Sequence, residues 1–312
     1  MACAEDKRIR RVGRQIRDIF PVLLLCSVVG CTHYEPDREH AQRIISLAPS
    51  TTEILFALGL GDRVVGVTRY CNYPPSTSEI TRVGGYVDLN YEEIVLLRPD
   101  LTVLLTSHRD AKAELEQMGI RTLSTPHETI ADIHQTIRMI GNACDRRDRA
   151  KSLLDELSRR TQAVRDAVDG KQRPRVLICI GRDTQSGQMS GLYIAGRHGL
   201  YDEIIEMAGG VNAYQEEAVA YPQVSAEGVI NMDPDVIVDI VSDMNPDAGP
   251  PKEEEIKQHW EQLRTVTAVR EDQVHVVLGT HALHPGPRYV EFLEQMARLL
   301  HPDRFPEDDA HD

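Results

Sequence analysis

From Arg43 onward, short apolar runs alternate with stretches whose apolar residues recur every three or four positions. The runs at 44–48, 64–68, 101–106 and 121–124 predict strands. The stretches near 52–58, 91–97, 111–118 and 130–142 predict helices. Strands alternating with helices at this spacing predict a mostly parallel α/β sheet. The segment 148–168 differs: Ala150, Leu153, Leu154, Leu157, Thr161, Val164 and Val168 mark one face, with charges elsewhere, so it predicts one helix of roughly 30 Å. Asp169-Gly170 ends it, and Gly170 suits a left-handed C-terminal cap. Alternation then resumes, with strands at 175–180, 236–241 and 274–278 and helices at 200–207 and 287–300. The predicted fold class is α/β: two lobes, 43–147 and 171–306, joined by a single long interdomain helix at 148–170, with an acidic tail at 307–312.

A weak internal repeat supports two similar lobes. EEIVLLRPDLTV (92–103) and EGVINMDPDVIV (227–238) align at a constant offset of 135, matching Glu92 with Glu227, Pro99 with Pro234 and Asp100 with Asp235. Each unit reads as a short helix opened by Asn90 or Ser225, closed before Pro-Asp and followed by a buried strand.

The N-terminus has another character. Lys7, Arg8, Arg10, Arg11, Arg14 and Arg17 precede an apolar stretch at 19–29. That stretch spans roughly 17 Å as a helix, too short for a bilayer core of about 30 Å, and has the shape of a secretory signal. It ends in Val28-Val29-Gly30-Cys31, which resembles a bacterial lipobox, so residues 1–31 are expected to be a lipoprotein-type signal with Cys31 lipidated. Residues 32–42 are polar and read as a tether. The expected location is extracytoplasmic, at a membrane surface.

Composition narrows the function. A net charge of −14 becomes −17 once residues 1–30 are removed, which argues against nucleic-acid binding. Cys71, Cys144 and Cys179 remain, an odd set that fits neither a disulfide framework nor a zinc spacing, and they are expected to be small buried or half-buried residues. No nucleophile elbow, phosphate loop or dinucleotide fingerprint occurs, so no enzyme and no cofactor are expected. Ser50-Thr51-Thr52-Glu53 reads as a capping box at a helix start. His281 and His284 form the tightest histidine pair, but Pro285-Gly286-Pro287 makes theirs a loop, where they face a ligand more readily than they share a metal. Arg288 opposes the dipole of the last helix, so a surface ion pair or a grip on an anionic group would explain it. Tyr70, Tyr86 and Tyr221 sit beside turn signals, where a ring can stack on a flat ligand, donate a phenolate to ferric iron, or pack under its own loop. Glu92 and Glu227 offer one exposed carboxylate per lobe to basic groups on a partner, and the dipole alone would also favour them there.

Arg43-Ile-Ile-Ser-Leu-Ala-Pro-Ser-Thr-Thr-Glu53, Val65-Gly-Val-Thr68 and Tyr73-Pro-Pro75 resemble the iron-chelate and cobalamin family of periplasmic binding proteins. Asn90-Tyr-Glu-Glu-Ile94, Arg98-Pro-Asp-Leu101 and Tyr221-Pro-Gln-Val-Ser-Ala-Glu227 continue the likeness over roughly 43–300, nearest the cobalamin-binding branch. The resemblance implies ligand capture between the lobes and delivery to an ABC importer permease, without chemistry on the ligand. It implies cobalamin first, then a ferric siderophore or haem. It places Tyr70, Tyr86, Tyr221, His281 and His284 at the ligand, and Glu92 and Glu227 against permease arginines; Arg288, through its grip on an anionic group, is the sixth expected ligand residue. The branch often uses tryptophan in its cleft, whereas the one tryptophan here, Trp260, falls in an expected surface helix. Two rival readings stand beside it: a bare transition-metal binder using histidine and carboxylate ligands, and an enzyme on a related two-lobed scaffold.

Overall fold

The computed structural model describes residues 40–182, 191–216, 219–241 and 252–305. The expected lipid site at Cys31 and most of the tether lie outside these residues. In the first lobe, β1 (Ile44–Ser46), α1 (Pro49–Ala57), β2 (Val64–Val67), β3 (Thr81–Arg82) and α2 (Tyr91–Leu96) lead to β4 (Leu101–Leu105), α3 (Arg109–Gln117), β5 (Thr122–Thr125) and α4 (Ile130–Ala143). The strands lie in the order β3-β2-β1-β4-β5, every neighbouring pair parallel. β1 and β4 are buried at every position, as continuous apolar runs covered by helices require. Ala41 is buried, and the Asp100 carboxylate accepts from the Gln42 and Arg43 backbone amides, so the folded unit takes in the last residues of the polar segment.

The predicted long helix is α5 (Arg147–Val168), whose buried stripe is Ala150, Leu154, Leu157, Val164 and Val168. Gly170 follows with φ of +69°, the left-handed conformation expected after the helix end. The chain passes from the first sheet to the second once, through α5, which packs on α4 of the first lobe and on the last helix of the second.

The second lobe comprises β6 (Arg175–Gly181), β7 (Leu192–Ile194), α6 (Leu200–Met207), β8 (Val211–Asn212), β9 (Gln223–Val224), α7 (Ala226–Met232) and β10 (Val236–Val241). These are followed by α8 (Glu253–Trp260), α9 (Thr267–Arg270), β11 (Val274–Leu278) and α10 (Tyr289–Leu300). Its sheet runs β11-β10-β6-β7-β9, with β8 also on β6. β10 is parallel to β6 and β11, whereas β7 runs antiparallel to β6 and to β9. This lobe is therefore mixed. One apolar core runs through both lobes, from Ile44, Leu101 and Ile137 through Leu154, Leu157 and Val164 of α5 to Val176, Val238, Phe292 and Met296.

Two expectations are corrected. Ser50-Thr51-Thr52-Glu53 does not cap α1: the N-cap is Ala48, with Pro49 opening the helix. Thr51 and Thr52 hydroxyls instead bond the Ala48 carbonyl, at 2.9 and 3.0 Å, and meet Ser46 Oγ in a buried cluster. Proline at N1 supplies the helical φ and lacks the amide that a cap would satisfy, which releases Glu53 for another use. Trp260 is not on a surface: its ring is fully buried and its indole N–H donates to Asp239 Oδ2 at 2.8 Å. The acidic first turn of α8 disguised a helix whose other face, Ile256 and Trp260, is core.

Candidate functional site

Parallel strands deliver their following loops to one end of the sheet, where α/β folds bind ligands. Ala48-Pro49-Ser50 follow β1, Tyr70 follows β2, Tyr86 follows β3, and His127 follows β5. With Leu105 at the end of β4, these form one wall of a cleft of about 410 Å³. The second lobe supplies the other wall: Ile180 from β6, Tyr201 from α6, Tyr221 before β9, and Leu283, His284 and Pro285 before α10. The walls are mostly apolar and aromatic.

The three tyrosines singled out in the sequence come together here. Tyr70, Tyr86 and Tyr221 remain 40, 44 and 46% exposed, so each keeps a ring face for a ligand. Tyr86 is fixed at its far end, its hydroxyl donating to Ser107 Oγ at 2.8 Å and its ring lying 4.3 Å from that of His108. Burial pushes the Tyr221 phenol above its ordinary value, and the charge of Glu128 adds to the shift. Behind Tyr221, edge-on at 6.2 Å, is Tyr201, whose hydroxyl donates to the Ala282 carbonyl at 2.8 Å. Burial raises this phenol as well. Both phenols are neutral at physiological pH.

Sequence reasoning missed Tyr201 and His127. Tyr201 lies on the apolar face of α6 and reads as core. His127 has one signal, its place just beyond a parallel strand. Its Nδ1 is buried without a hydrogen-bond partner. Desolvation lowers its pKa, with Glu128 and Asp132 opposing, so the ring is neutral at pH 7.

The late loop of the second lobe divides its three expected residues. His284 lines the cleft, with Nδ1 3.9 Å from Glu53 Oε1. His281 is engaged elsewhere: Nε2 is 3.0 Å from Gln295 Oε1, and its ring meets the edge of Phe292. Arg288 lies beside the cleft and is already gripped. Its Nε donates to Glu53 Oε2 at 3.0 Å and Nη2 to Glu53 Oε1 at 2.5 Å. Nη2 also reaches Thr280 Oγ1, while Cζ stands 3.8 Å over the Tyr73 ring. Glu53 and Tyr73 belong to the first lobe and Arg288 to the second, so this is an interlobe clasp, with side chains 3% (Glu53) and 13% (Arg288) exposed.

Glu92 and Glu227 are exposed in the first turns of α2 and α7. Asn90 and Ser225 are the side-chain caps, accepting from the amides of Glu93 and Gly228. The two glutamates thus stand at equivalent places in the two lobes.

The family model described as "Periplasmic binding protein" matches residues 44–277. YvrC of Bacillus subtilis (strain 168), a substrate-binding lipoprotein of an ABC transporter, is 27% identical over 278 residues, covering 86% of this chain and 83% of that one. The periplasmic vitamin B12-binding protein BtuF of Vibrio cholerae superposes with a TM-score of 0.71 at 27% identity, over 86% of this chain and 99% of the other. The periplasmic haem-binding protein BhuT, solved with two haems, gives 0.72 at 26% identity, over 84 and 98%.

Proposed function

The chain belongs to the periplasmic binding protein family, and from that premise we propose that it captures a metal chelate and delivers it to an ABC importer. A cobalamin or related corrinoid is the favoured ligand, with a ferric siderophore or haem next. One observation carries this reading: Tyr70, Tyr86, Tyr201 and Tyr221 converge on one interlobe cleft of apolar lining. Broad aromatic faces on two opposed walls suit a large, flat ligand, with affinity drawn from area buried between preformed surfaces. That the relatives include a vitamin B12-binding and a haem-binding protein supports the same reading.

Delivery needs a partner. Glu92 and Glu227, exposed at equivalent positions of the two lobes, are the groups that would meet arginines of the permease. A lipid on Cys31 would hold the protein near that permease and raise its effective concentration there. Closure on the ligand is small, because α5 and the Glu53–Arg288 clasp tie the lobes together on their shared side. The family is one of solute-binding proteins, and we assign the chain no catalytic step.

Calorimetric titration of the purified protein with cyanocobalamin, haem and a panel of ferric siderophores tests the proposal. Submicromolar binding of one of them is expected. Tight binding of haem or a siderophore with no response to cobalamin would keep the transport role and move the ligand. No response to any would refute chelate capture.

A further inference from the structure

We propose that the cleft discriminates by charge, accepting metal chelates that carry no net negative charge and rejecting anionic ones. This inference rests on the chelate-capture reading above and narrows it.

Among the described residues lining the cleft there is no Lys or Arg. Three arginines beside cleft residues are held by carboxylates, and Arg82 donates to the Thr68 and Cys71 carbonyls on either side of Tyr70. Arg288 is held bidentately by Glu53. Arg69, next to Tyr70, is held by both oxygens of Asp88 at 3.0 and 2.6 Å. Arg182, just beyond Ile180, donates to buried Asp239 at 2.6 Å.

The residual field has the other sign. Glu128 follows the cleft residue His127, and its charge is felt at the Tyr221 phenol. The neutral imidazole of His127 supplies no counter-charge. The whole chain adds a net −14. A carboxylate or catecholate brought into such walls loses hydration and finds only neutral donors, the desolvation penalty that excludes unpaired charges from apolar sites. Amide-bearing and hydroxamate chelates bring no unpaired negative charge into the cleft and so avoid that penalty.

The test compares ligands of one scaffold that differ in charge. Cyanocobalamin is titrated beside its derivatives with peripheral amides hydrolysed to carboxylates, and haemin with two free propionates beside its bis-amide. In whichever scaffold binds, the member without free carboxylates is expected to bind at least tenfold tighter at low ionic strength. The gap should shrink with added salt, since a Debye length of about 8 Å at physiological strength screens the cleft mouth. Glu128→Lys, an exposed change outside the cleft lining, should shrink it further by strengthening the anionic member alone. Equal or tighter binding of the carboxylate members would overturn the charge inference and leave chelate capture standing. Failure of both scaffolds and of a ferric hydroxamate would overturn chelate capture itself, and this inference with it.

Discussion

Replacing Glu53 with Gln tests whether the interlobe clasp holds the molecule together. The substitution keeps shape and one hydrogen-bonding oxygen but leaves the Arg288 guanidinium without its counter-charge. Both side chains are largely removed from water, at 3 and 13% exposed, and breaking a buried pair by removing one partner costs about 3–5 kcal/mol. Arg288 keeps Thr280 and the face of Tyr73, so the lower end applies, about 3 kcal/mol. For a chain of this size each kcal/mol moves Tm by roughly 2–4 °C, which gives a fall of about 6–12 °C by scanning calorimetry. The double variant Glu53→Gln/Arg288→Met should recover most of the loss, because no unpaired charge remains, and the non-additivity measures the pair itself. A single variant melting within about 1 °C of the parent would refute the reasoning. So would a double variant that is merely the sum of its parts.

Further outcomes follow from other parts of the structure. Glu92→Lys with Glu227→Lys should abolish ligand uptake in cells while leaving the affinity of the purified protein unchanged; lost affinity would refute a docking role. Burial lowers the pKa of His108, His127, His134 and His275 below the ordinary 6.5. Between those folded values and 6.5 the unfolded chain binds more protons, so stability must fall as pH drops below about 6.5. Melting curves from pH 7.5 to 5 check this, and a flat profile would count against the burial of these rings. Burial also pushes the Cys144 thiol up to about 11 and the Cys179 thiol up to about 12, and raises Cys71. None of the three should react with a thiol reagent at pH 8 until the protein is unfolded, as a colorimetric thiol assay would show.

Much of this architecture was legible because burial leaves a plain mark in the order of residues. β1, β4 and β10 are mostly apolar, almost wholly buried runs, and the stripe on α5 repeats at the helical period over six turns. The elements that escaped notice are those with little pattern to read. β7 and β9 have three and two residues, too few for a period, and their antiparallel pairing depends on partners far away in sequence. Helix α8 opens with three glutamates, so its buried face was invisible next to so much charge. In the site, Tyr70, Tyr86 and Tyr221 stood out because aromatic residues beside turn signals are unusual. Tyr201 did not, since a tyrosine on an amphipathic face looks like core. Glu53 and Arg288 are 235 positions apart. Each reads locally as a helix-end residue, and their pairing exists only after both lobes have folded.

The continuous core has a consequence for how the chain comes into being. The first lobe ends at α4, yet His134 of α4 reaches the Tyr289 hydroxyl at 3.1 Å, and Arg160 of α5 is held by both oxygens of Glu294. Both partners lie on α10, the last helix of the chain. During synthesis the side of α5 that packs on α10 therefore waits, uncovered, until almost all residues have emerged. Contacts between early and late segments are costly to close and slow to form. A nascent chain stopped after α5 is a fragment with an open seam, an aggregation hazard and a target for chaperones. Helix α10 acts as the closing stitch, and its arrival decides when the molecule can become native.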